Sequence, residues 1–203
     1  MTTTVLAGSL GAAAAVLGSL GLGPGADCVV VPTAAAFTGA TEATVRAAET
    51  LAALGVRVEG LVALTREEAA NEYVARRVGE ADLVVVLDGA ALHARAVWRD
   101  SRLGAAIAAS RRLLAVGDVA SLLFAVMVDP RGGAPTIGLG YRDGLVVTTR
   151  ASKDQLARTR ALVGDDATLC VLDEDGVVVG EDGVWRVGAG SVEVTRGESP
   201  ATL

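Results

Sequence analysis

A single histidine, His93, is the entire imidazole complement of this 203-residue chain. Hydrolysis by a serine or cysteine needs a base within reach of the nucleophile, so any Ser-His or Cys-His mechanism has to run through that one ring. Cysteine is almost as scarce. Cys28 and Cys170 each sit inside an apolar run, as buried reduced thiols do. No further Cys, His or acidic cluster stands near them at ligand spacing, so no metal site is expected. Aromatic residues make up only 3% against 51% hydrophobic, so a sizeable core is available but has to be packed from Ala, Val and Leu.

Positive charge is also in short supply. The formal net charge is −6, which argues against a nucleic-acid partner. The first basic residue is Arg46, and the apolar stretch 5–22 is broken by Gly8, Gly11, Gly18 and Gly21. A signal peptide wants a basic start and an unbroken apolar centre, and a membrane span wants about 20 apolar residues. The stretch therefore reads as strand, glycine turn and buried helix, in a cytoplasmic protein without a membrane partner. Gly8-Ser9-Leu10-Gly11 lacks both the lysine of a phosphate-binding loop and the spacing of a dinucleotide turn. It reads as a packing turn, and no cofactor is expected.

What the chain does have is alternation. Strand signals at 4–7, 28–31, 56–64, 83–87 and 113–116 are separated by helix signals at 41–54, 91–99, 103–111 and 121–126. Thr65 and Glu68 form the capping pair of another helix. The run Leu83-Val84-Val85-Val86-Leu87 suits a strand buried on both faces. This order predicts an α/β three-layer sandwich with a mostly parallel central sheet. Toward the end the signals become short strands, with Asp175-Gly176 and Asp182-Gly183 as hairpin turns, so an antiparallel C-terminal hairpin edge is expected. No linker or internal repeat divides the chain. Residues 1–196 read as a single domain and 197–203 as a loose tail.

In such a fold functional groups gather in loops at the carboxyl ends of the strands. Two loops qualify, Asp88-Gly89 and Gly117-Asp118-Val119-Ala120. The second is a tight turn of small residues between a strand and an apolar helix, as at a nucleophile elbow, where backbone N–H groups lie beside a raised side chain. Asp118 is the residue expected at the bend. Asp88 and Asp118 would face one another if their strands are neighbours, and two facing carboxylates can share a proton.

Particular blocks carry a family resemblance. They are Val31-Pro32-Thr33-Ala34-Ala35-Ala36, Leu64-Thr65-Arg66, Leu92-His93-Ala94-Arg95 and the run Met127-Val128-Asp129-Pro130-Arg131-Gly132-Gly133-Ala134 with Gly138-Leu139-Gly140 after it. The ending Gly183-Val184-Trp185-Arg186-Val187-Gly188-Ala189-Gly190 fits as well. From Val29 onward the chain resembles the cyanophycinase and dipeptidase E family of serine peptidases, which implies a class I glutamine-amidotransferase-like α/β fold. The resemblance places the family's nucleophile turn on Val116-Gly117-Asp118-Val119-Ala120-Ser121, with Asp118 in the serine's position. Ser121 falls three residues later, inside the expected helix. The oxyanion loop becomes Asp88-Gly89-Ala90, and the stretch that carries the family's histidine becomes Val147-Thr148-Thr149-Arg150. Nucleophile, base and part of the oxyanion loop are altered together.

The leading expectation is a catalytically degenerate member that keeps a cleft for a peptide-like or small ligand, lined by Asp88, Gly89, Asp118, Val119 and Thr149. One alternative is an active hydrolase using Asp118 with His93 or Asp88. Another is a regulatory or structural subunit of an active relative. A homodimer is expected on general grounds.

Overall fold

The computed structural model describes residues 1–197 and 199–203. Its first half winds β1 (Thr3–Ala7), α1 (Leu10–Leu17), β2 (Asp27–Val31), α2 (Ala40–Ala52), β3 (Arg57–Gly60), α3 (Arg66–Ala69), α4 (Glu72–Glu80), β4 (Leu83–Val86), α5 (Ala91–Trp98), α6 (Arg102–Ala109), β5 (Arg112–Val116) and α7 (Val119–Leu122). The second half adds β6 (Val126–Val128), β7 (Pro135–Ile137), β8 (Val146–Thr149), α8 (Lys153–Val163), β9 (Thr168–Leu172), β10 (Val177–Glu181), β11 (Val184–Ala189), β12 (Val192–Arg196) and β13 (Ser199–Pro200).

These strands make two mixed sheets flanked by helices. The larger has the order β11-β10-β1-β5-β4-β2-β3. Its five strands from β1 to β3 run parallel, and the β10–β11 hairpin adds antiparallel to β1. The α/β class, the parallel centre and the antiparallel hairpin edge are as the residue pattern implies. Side-chain alternation splits the sheet's two faces cleanly. Val5, Ala7, Val30, Val85, Leu114 and Val116 face α1 and α2, meeting Leu17, Ala47 and Leu51. Leu6, Val29, Val84, Val86, Leu113 and Ala115 face the other way, onto Val78, Ala94, Val97, Trp98, Leu103 and Ile107. Trp98 is fully buried there. Its indole N–H donates to Thr33 Oγ1 at 3.0 Å, and Thr33 donates on to the Ala63 carbonyl at 2.7 Å, so a large aromatic is buried with its polar atom satisfied.

The second sheet, β13-β12-β9-β8-β6-β7, differs from expectation in two ways. The helix expected over 121–126 stops at Leu122, and β6 follows. The buried Ser121 hydroxyl accepts the Val128 N–H at 2.7 Å, and the Gly138 N–H donates to the Ala125 carbonyl at 2.9 Å. Backbone partners brought in by the chain's return therefore outweigh helical propensity. The C-terminal strands also do not all join one edge: β9 and β12 pair with each other in the second sheet, and only β10 and β11 extend the first. In place of a loose tail, Ser199 and Pro200 pair with Arg196 and Thr195, and the Ala201 N–H donates to the Val194 carbonyl at 2.9 Å. Among the described residues no helix is long and apolar enough to cross a membrane.

Candidate functional site

Three loops converge at the carboxyl ends of the strands. β4 delivers Asp88 and Gly89, β5 delivers Gly117 and Asp118, and β8 delivers Thr149 and Arg150 from the second sheet. Because β4 and β5 are paired neighbours, the first two loops lie side by side, as their sequence positions suggest.

The backbone sets the geometry. Gly117 has φ 64°, the left-handed region that a side chain disfavours, and its N–H donates to the Ala7 carbonyl at 2.8 Å. Asp118 has φ −61° and ψ −22° and opens α7 in ordinary helical geometry. The residue at the bend is therefore Gly117 and not Asp118, which corrects the expectation. A single tight reversal needs one positive φ, and glycine takes it at least cost. Gly89 is constrained by close approach. It has φ 145°, and a Cβ there would stand 2.3 Å from the Ala34 carbonyl oxygen.

Asp88 occupies the space between these loops. Its Oδ1 accepts two backbone N–H groups, from Gly89 at 2.8 Å and from Asp118 at 2.9 Å. Its Oδ2 pairs with the Arg150 guanidinium. A Cβ built on Gly117 would stand 2.0 Å from Asp88 Cγ and 2.2 Å from Oδ1. Two converging N–H donors, one on the residue after the bend and one on a neighbouring loop, are the arrangement that receives an oxyanion at a nucleophile elbow. Here one carboxylate oxygen of the chain receives both.

Asp118 points elsewhere. Its Oδ1 accepts the Thr149 hydroxyl at 2.5 Å, and it lines a cavity of about 130 Å³ with Asp129, Thr148, Thr149, Arg150 and Gln155. Burial pushes the Asp118 carboxyl above the usual range. The Thr149 hydrogen bond works against this, the charge of Asp88 adds to it, and Arg150 offsets it. For Arg150 burial acts downward, but the charge and hydrogen bond of Asp88 together hold the guanidinium above its ordinary value. Arg150 itself sits at φ 47°, an uncommon conformation for a residue with a side chain.

The remaining expected site residues divide. Thr149, Asp88 and Gly89 are brought together with Asp118. Val119 is not a lining residue: it is 0% exposed and packed in the core, because the first turn of α7 faces inward. His93 Nε2 lies 2.9 Å from the Leu64 carbonyl oxygen, and its ring meets Phe37 edge-on at 4.8 Å between centroids. Asp118 takes its hydrogen bond from Thr149, and no hydrogen bond joins it to His93 among the described residues. Ser121 is 2% exposed and committed to Val128. Sequence reasoning missed Arg150 and the role of Gly117. The glycine at the head of the turn was the available signal for the second. Nothing local in the sequence marks Arg150 as a partner for a residue 62 positions away.

Two carboxylates, one already tied to Arg150, make a poor cradle for a hard cation, which wants six or more oxygen ligands. No group of three or more His, Cys, Asp or Glu residues is placed to hold a metal among the described residues. Cys28 and Cys170 are free and buried, and burial pushes both thiols up to about 12.

No family model matches the chain, and no curated protein matches it. Solved structures do. A peptidase from an acI-B1 Actinobacterium aligns with a TM-score of 0.78 at 19% identity, over 100% of this chain and 94% of that one. A protein from Listeria monocytogenes EGD-e, named as a candidate peptidase E, aligns with a TM-score of 0.68 at 13% identity, over 94% of this chain and 100% of its own. At these identities the likeness establishes a peptidase-like fold.

Proposed function

We propose that this chain is a non-catalytic relative of the peptidase E-like proteins whose fold it shares, and that it keeps the cleft to bind a small or peptide-like ligand. One observation supports this above the rest: Asp88 lies both in the two-N–H nest and against the bend at Gly117. A nucleophile raised at that bend would meet the carboxyl group, and an oxyanion forming there would find both donors taken. A fixed negative charge within about 4 Å would also oppose it, by several kcal/mol at intermediate dielectric. A carboxylate nucleophile at Asp118 would still need a base to activate water for the second step. Its hydrogen-bond partner is a threonine hydroxyl, and the only imidazole is engaged at Leu64.

The cleft limits the ligand. At about 130 Å³ it is smaller than a typical cavity for a whole small molecule, roughly 300 Å³ or more, so it suits a terminal group of a longer ligand. Asp118 and Asp129 line it beside Arg150, whose guanidinium is paired with Asp88, and among the described residues Asp118 takes its side-chain hydrogen bond from a threonine hydroxyl, so a positively charged terminal group fits best.

The test pairs two readouts on purified protein. Dipeptides with acidic or basic first residues are assayed for hydrolysis and, in parallel, for thermal stabilisation. Stabilisation without turnover is the expected result. Turnover that disappears in Asp118→Asn would replace this reading with that of an active hydrolase.

A further inference from the structure

We infer that the nest formed by the Gly89 and Asp118 N–H groups, with Arg150 beside it, is a carboxylate-binding site held closed by Asp88 as a tethered occupant. This rests on the reading of the cleft as a binding site and adds the chemistry of a second ligand group.

The three partners of Asp88 come from three separate loops, after β4, β5 and β8. Both N–H donors converge on Oδ1 at 2.8 and 2.9 Å, while Arg150 takes Oδ2. One oxygen on paired amides and the other on a guanidinium is a complete recognition set for a free carboxylate. The donors are built into the backbone. Gly117 and Gly89 hold their loops in left-handed and close-approach conformations, so removing the Asp88 side chain leaves the N–H groups directed at the same point. The occupant is also replaceable. Asp88 and Arg150 side chains are 33% and 47% exposed, so the carboxylate is reached by solvent and can exchange with one arriving from it. Arg150 also lines the cavity that holds Asp118. A ligand with a carboxylate on the nest and a cationic group on Asp118 would span adjacent positions, as the two ends of an amino acid or peptide terminus do.

The experiment removes the tether and offers a free carboxylate. Asp88→Gly and the wild-type chain are melted in sodium acetate and in sodium chloride of equal ionic strength. Asp88→Gly should be less stable in chloride. Acetate should raise its melting temperature by about 3–6 °C at tenfold excess over the dissociation constant, while the wild type, whose tethered carboxylate competes for the nest, responds much less. Adding Arg150→Ala to Asp88→Gly should remove most of the acetate response. Equal responses of Asp88→Gly to both salts would overturn the inference, as would an acetate response of the same size in the wild type. Asp88→Ala is read in the same way. Variants that refold in acetate and not in chloride support the site, and variants that refold in neither count against it. Turnover of peptides by the wild type would end the non-catalytic reading and leave this titration's outcome as it stands. A failed titration would end the carboxylate site and leave the absence of turnover untouched.

Discussion

Asp88 fills the space that a side chain on Gly117 would need. A Cβ there would lie 2.0 Å from the carboxyl carbon of Asp88, closer than atoms of a folded chain approach. The two positions are 29 residues apart in sequence and become adjacent because β4 and β5 pair in parallel. A substitution at one site should therefore be felt at the other.

Gly117→Ser should destabilise the protein by about 2–4 kcal/mol, from overpacking against Asp88 and from the positive φ. Asp88→Gly should relieve the packing part and leave the backbone part. A double-mutant cycle by urea denaturation should give a coupling of about 1 kcal/mol or more in favour of the pair. Simple additivity would mean that the two sites are not in contact.

The raised carboxyl of Asp118 ties stability to pH. A carboxyl held above its unfolded value binds protons more tightly in the folded protein, so its contribution to stability falls as pH rises from the unfolded value through the folded one. Asp118→Asn removes that linkage and keeps an oxygen to accept from Thr149. The variant should gain stability relative to the wild type as pH rises through and above the ordinary carboxylate range. The difference should shrink below it. Parallel stability curves from acid to neutral pH would contradict this.

Thr149→Val removes a hydroxyl donor from a partly buried carboxylate. Loss of a hydrogen bond to a charged group should cost about 1.5–3 kcal/mol at neutral pH. It should also push the Asp118 titration higher, since that bond opposes the shift. Carboxyl carbon NMR on the valine variant reads the direction.

Arg150 separates backbone from charge. Its ion pair with Asp88 is partly exposed, so Arg150→Ala should lose no more than about 1 kcal/mol through charge. Arg150→Gly loses the same pair but relaxes φ 47°. The glycine variant should therefore be more stable than the alanine variant by about 1 kcal/mol, as judged from denaturant midpoints. The reverse order would mean that the strain is not present in the folded protein.

Much of the parallel layer was legible because its signals are local. The run Leu83-Val84-Val85-Val86 makes a strand buried on both faces, and Thr65 with Glu68 makes the capping box observed at α3. Asp88 and Asp118 were legible as residues of neighbouring loops for the same reason, since each follows a strand that the pattern identifies, but their carboxylates take separate partners instead of facing one another. What escaped was long-range. β6 replaces helix because Ser121 meets the Val128 backbone and Gly138 that of Ala125, and β9 leaves the first sheet to pair with β8 and β12. Arg150 reaches Asp88 only because the second sheet brings the end of β8 over the first. Val119 was misread because one residue's rotation on a four-residue helix decides whether it meets the cleft or the core.

With Asp88 occupying the nest, the purified wild-type chain should fail to cut peptides. Release of free amine from a panel of dipeptides, with Asp118→Asn measured alongside, reads this directly. The prediction is a rate equal to buffer for both proteins across the panel. Release above buffer by the wild type, abolished in the asparagine variant, would show a working nucleophile at Asp118, the carboxylate read here as part of a binding cleft.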